Sequence, residues 1–99
     1  MRFHDVYEKK SWLAEELTKE LKETFQLPSV HVTVTVSSDE DGNADFSVML
    51  CDLGNPNNQL PHAVLTHAKK KIQEWFENSQ PNVRAVCVPA HYLPEAFVD

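Results

Sequence analysis

Apolar residues along this chain alternate between helical and strand spacing. Val6, Leu13, Ala14, Leu17, Leu21 and Phe25 fall on one helical stripe, while Glu8, Glu15, Glu16, Lys19 and Glu23 face away from it. Asp5 and Glu8 stand at capping-box spacing and Pro28 blocks continuation, so the pattern predicts a helix ending near Gln26. Val30 to Val36 (VHVTVTV) then alternates strictly, and so does Ala44 to Leu50 (ADFSVML). Period-two runs rich in β-branched residues predict half-buried strands. The short polar link between them, with Asp41-Gly42 as its turn dipeptide, predicts an antiparallel hairpin.

Downstream, Cys51 to Gln59 is dense in turn residues, and Pro61 suits the first turn of a second helix, with an asparagine just upstream as a cap. Val64, Leu65, Ala68, Ile72, Trp75 and Phe76 form a compact stripe running toward Ser79. Val83 to Val88 (VRAVCV) predicts a third strand, closed by Pro89. The order is α-β-β-α-β. Two amphipathic helices need one sheet face to cover, which predicts an α+β two-layer sandwich on a three-stranded sheet. The connection through the second helix makes strands two and three candidates for a parallel pair. An added edge strand at Arg2–Tyr7 would turn the order into β-α-β-β-α-β, which resembles the ferredoxin-like arrangement in topology alone and carries no functional residues with it.

Composition narrows the function classes. Ninety-nine residues fit one domain, 1–99, with 89–99 (PAHYLPEAFVD) as a docking tail. The net charge of −6 disfavours phosphate backbones and anionic membrane surfaces. No apolar run approaches the ~20 residues of a membrane span, and Met1 to Tyr7 lacks the apolar stretch of a signal peptide. A cytoplasmic protein is expected, with Cys51 and Cys87 as buried free thiols.

The candidate chemistries are weak. Read from Ser37, the acidic turn puts Ser37, Asp39, Asp41 and Asp45 at ligand positions of a calcium loop, with Gly42 at its bend. Val48 then stands where the bidentate glutamate belongs, so the stretch reads as a solvated hairpin tip and no metal site is expected. His62 and His67 are five apart and cannot easily share a metal; the five histidines read as isolated surface residues. Lys69-Lys70-Lys71, the one basic run, reads as a solvated helix face. No nucleotide-binding, metalloprotease or hydrolase motif occurs, and neither cysteine has a base or helix start beside it in sequence. No cofactor and no catalytic residue is expected.

Trp12 is the most informative residue. It points off the apolar stripe among Glu8, Glu15, Glu16 and Lys19, so it either folds over the end of the core or anchors an interface. Three functions follow. The first is a non-enzymatic binding protein that regulates or inhibits a partner with a basic surface. It would use Trp12, carboxylates at Glu8, Glu15, Glu16, Glu23, Asp39, Glu40 and Asp41, and Tyr92 and Phe97 of the tail; rows of carboxylates at phosphate-like spacing would imitate nucleic acid. The second is an assembly protein, a homodimer for example, that self-associates through the open sheet face or the edge of the third strand. The third is a small cysteine/histidine enzyme built around Cys87 and His91.

Overall fold

The computed structural model describes residues 3–54, 60–76 and 81–88. Its element order is α-β-β-α-β, the α+β arrangement expected from the periodicity. One helical turn, α1 (Phe3–Val6), leads through a 3-10 turn (Tyr7–Lys9) into α2 (Lys10–Phe25). The chain then forms β1 (Val30–Ser38), β2 (Ala44–Asp52), α3 (His62–Trp75) and β3 (Asn82–Cys87).

Two expectations at the start of the chain are overturned. Residues Phe3–Val6 are helical, so Arg2–Tyr7 adds no fourth strand and the ferredoxin-like variant falls. The helical turn buries Val6 in the same core as Leu13. The Phe3 N–H donates to the Gly42 carbonyl at 2.9 Å, which ties the segment to the hairpin turn at the end of the sheet. Asp5 is not a cap either. It lies inside the first turn, paired with His4 at 3.4 Å, and the N-cap position of the 3-10 turn is Val6, with no side-chain cap bond.

Leu13, Leu17 and Leu21 form the buried stripe of α2, which stops where Gln26 takes a left-handed conformation (φ 54°, ψ 49°) two residues before Pro28. On α3, Pro61 occupies the N-cap position rather than the first turn, and Val64, Ala68 and Ile72 are the buried residues. This helix ends at Trp75; the asparagines upstream of it and Ser79 lie outside the described residues.

Strands β1 and β2 pair antiparallel over nine residues without a bulge, from Val30 opposite Asp52 to Ser38 opposite Ala44. Strand β3 pairs parallel to β2, so among the described residues the sheet order is β1-β2-β3 with β1 and β3 as edges. Alternation then sorts the side chains. Val30, Val32, Val34, Val36, Ala44, Phe46, Val48, Leu50 and Val83 join the helices' apolar residues in one core, and Phe46 stacks on Phe76 at 5.7 Å. Among the described residues no helix is long and apolar enough to cross a membrane.

Candidate partner-binding surface

The two long helices cross the sheet antiparallel to each other, because Trp12 meets Trp75 and, two turns along, Glu20 meets His67. Trp12 remains 48% exposed, its ring 5.7 Å from that of Trp75 at a 52° tilt. It therefore does not enter the core, and its ring packs on that of Trp75. Its partner is a half-buried residue of the α3 stripe that packs against the core. Sequence reading missed this pair. The available signal was position along the helices: Trp12 lies near the start of α2 and Trp75 at the end of α3, which an antiparallel helix pair brings to the same end.

Carboxylates flank the pair. Glu8 and Glu15 are exposed within about one turn of Trp12, and Glu16, one turn on, is half-buried. Glu23, also exposed, sits in the last turns of α2 and is not part of this group. Asp39, Glu40 and Asp41 are exposed at the hairpin tip. The bond from Phe3 to Gly42 brings that tip to the end of the molecule where α1 begins. Asp39 also has a local task, its Oδ1 accepting the backbone N–H of Asp41 at 2.9 Å and of Asn43 at 2.8 Å. That closes the turn around Gly42, whose φ of 82° suits glycine. Tyr92 and Phe97, with the rest of 89–99, lie outside the described residues.

Further along the helix seam is a charged cluster. Oε1 of Glu20 lies 3.3 Å from Nε2 of His67 and 3.4 Å from Nζ of Lys71, which also reaches Glu74 at 3.5 Å. The hydrogen bond from His67 holds the Glu20 carboxyl below its ordinary range; partial burial opposes this and Lys71 reinforces it. The Lys71 ammonium is held above its ordinary value, chiefly by its hydrogen bond to Glu20 and then by that carboxylate's charge. The His67 ring also stands edge-on to Phe25 at 5.3 Å. His67 is thus not an isolated surface histidine, and the basic run is split: Lys71 is committed to the seam while Lys69 and Lys70 stay exposed.

The sheet face opposite the helices is less open than alternation suggested. Thr33 and Cys51 project to that side, yet they are only 4% and 1% exposed. Nε2 of His31, opposite Cys51 in the register, is buried without a hydrogen-bond partner. Burial raises the Cys51 thiol pKa, and Cys87 and Asp52 raise it further. Sγ of Cys87 accepts the Leu60 N–H at 3.3 Å. His91 lies outside the described residues. Among the described residues no three His, Cys, Asp or Glu side chains stand close enough together to hold a metal ion. No protein-family model matches the chain, and neither a curated protein nor a solved structure matches it.

Proposed function

We propose that this protein is a non-enzymatic acidic binding protein that regulates or inhibits a partner carrying a basic surface. The reading rests on the Trp12–Trp75 pair, an aromatic surface at the junction of two helices with glutamates beside it. A half-exposed tryptophan held by a second ring loses little side-chain freedom on docking, which is the economy of a hot spot. Glu8, Glu15 and Glu16 supply charge around that anchor, while Asp39, Glu40 and Asp41 add a second acidic group at the hairpin tip, which the Phe3–Gly42 bond ties to the start of α1. A cationic partner would be steered by both and held at the tryptophans. The cysteine chemistry gives the enzymatic alternative less support, since burial disfavours the Cys51 thiolate and the Cys87 sulfur is occupied by a backbone N–H. A cytoplasmic setting, where both thiols remain reduced, fits the same reading.

The test is capture of partners from source-cell lysate with nuclease present, using the wild-type chain, Trp12→Ala and the triple variant Glu8→Gln, Glu15→Gln, Glu16→Gln. The reading expects a nuclease-resistant basic protein, lost with Trp12→Ala and released at lower salt by the triple variant. Equal capture by all three proteins places the interface elsewhere and sinks the assignment.

A further inference from the structure

The outer edge of β1 is built to pair with another strand. The bonds Leu53 N–H to Ser29 O and Asp39 N–H to Asn43 O, both 2.9 Å, set the parity of the hairpin ladder. Residues of odd number in β1 direct their backbone groups at β2, so Val32 and Val34 direct theirs at the free edge. Among the described residues no strand pairs with that edge. An open groove of about 620 Å³ runs between α2 and the Val30–Val32 stretch, and a second of about 250 Å³ continues beside Val32 to Thr35.

Strand edges in monomers are guarded by short length, bulges, prolines or charges. β3 has such guards: it is six residues long, follows Pro81 and carries Arg84. β1 has none of them over nine residues, its register being unbroken and its sequence VHVTVTVSS free of lysine, arginine, aspartate, glutamate and proline.

We propose that a second copy of this chain adds to this edge, β1 against β1 in antiparallel sense about a two-fold axis at Thr33, making a continuous six-stranded sheet. The strand is its own complement in that register. Val32 stands opposite Val34 of the second copy and Val30 opposite Val36 of the second copy, so valine meets valine on the core side; the outward N–H and C=O groups of Val32 and Val34 face one another, while the Val30 N–H is already given to the Leu27 carbonyl at 3.3 Å. No like charges are opposed along the ladder. The acidic turn of each copy runs past Val30 of the other, toward the groove end that carries Lys19 and Lys22 beside Glu23. The paired strands stand apart from the Trp12–Trp75 pair, although the groove beside them holds Glu15 and the contact engages the acidic turn, and they differ from the two self-association surfaces suggested by sequence, the open sheet face and the β3 edge.

The experiment is sedimentation equilibrium of the full chain with amide hydrogen exchange of Val32 and Val34, repeated on Thr35→Lys. Thr35 is exposed and stands opposite His31 of the second copy in this register, so a lysine there burdens the interface twice without touching the core. The expected result is a concentration-dependent dimer whose Val32 and Val34 amides are protected at high concentration and lose protection on dilution. Thr35→Lys is expected to weaken that dimer roughly tenfold while its circular dichroism stays native. A monomer with fast-exchanging edge amides across the concentration range overturns the proposal. So does a dimer whose edge amides exchange fast, or a monomer whose edge is protected only when an extended peptide is added. Should Thr35→Lys fail to fold, the exchange data on the wild-type chain decide alone.

Discussion

Replacing Trp12 by alanine is expected to cost about 2–3 kcal/mol and to leave the domain folded. An enclosed tryptophan buries ~150–250 Å². Trp12 is 48% exposed, so about half of that surface, roughly 75–125 Å², is withdrawn from water. At ~25 cal/mol per Å² this is ~2–3 kcal/mol, trimmed by ~10–40% because denatured chains already bury part of it. The ring contact with Trp75 adds ~0.5–1.5 kcal/mol beyond area, bringing the total back to the stated range. Typical domain stability is ~5–15 kcal/mol, so the variant remains folded at 25 °C, as the capture experiment requires. The assay is urea unfolding followed by far-ultraviolet circular dichroism for wild type, Trp12→Ala, Trp75→Ala and the double variant. The cycle should give a coupling of ~0.5–1.5 kcal/mol between the rings. Additivity within ~0.3 kcal/mol would mean that the rings do not meet in solution. A loss for Trp12→Ala above ~4 kcal/mol would make Trp12 a core residue and remove the anchor from the proposed surface.

Three further outcomes follow from named contacts. Asp39→Ala loses the acceptor for two backbone N–H groups of the turn and should destabilise by about 1–2 kcal/mol, measurable by urea unfolding, with Asp39→Asn retaining part of the effect. Gln26→Gly relieves the left-handed conformation at the end of α2 and should stabilise by up to about 1 kcal/mol, a gain in melting temperature of several degrees. Glu20→Gln should cost about 0.5–1 kcal/mol at pH 7. The folded-state pKa of Glu20 lies below its ordinary 4.5, so its contribution is present above that value and disappears as pH falls through the depressed folded pKa. The difference between wild type and Glu20→Gln should therefore shrink in unfolding experiments as pH falls below 4.5. The stabilisation that goes with the raised Lys71 pKa is fully present below its ordinary 10.5 and is lost only as pH climbs beyond that value, so it adds no pH dependence to this comparison.

By itself the sequence determined the α+β class, the order of elements and the residues that make the core. The reason is periodicity. Val32, Val34 and Val36, like Leu13, Leu17 and Leu21, repeat at the spacing of their own element, and burial follows that spacing. The ends of elements were less legible where a tertiary bond overrode the local signal. Asp5 and Glu8 offered a cap, but the Phe3–Gly42 bond and burial of Val6 begin the helix earlier. Only the tertiary structure decided what Trp12 and His67 touch. Trp75 lies 63 residues from Trp12 (75 − 12), and Glu20 lies 47 from His67, separations that no local pattern encodes. It also decided which strands are edges. β1 and β3 look alike as apolar runs, and their difference lies in sheet order: β2 takes the centre because it pairs on both sides, leaving the uncharged edge of β1 beside an open groove.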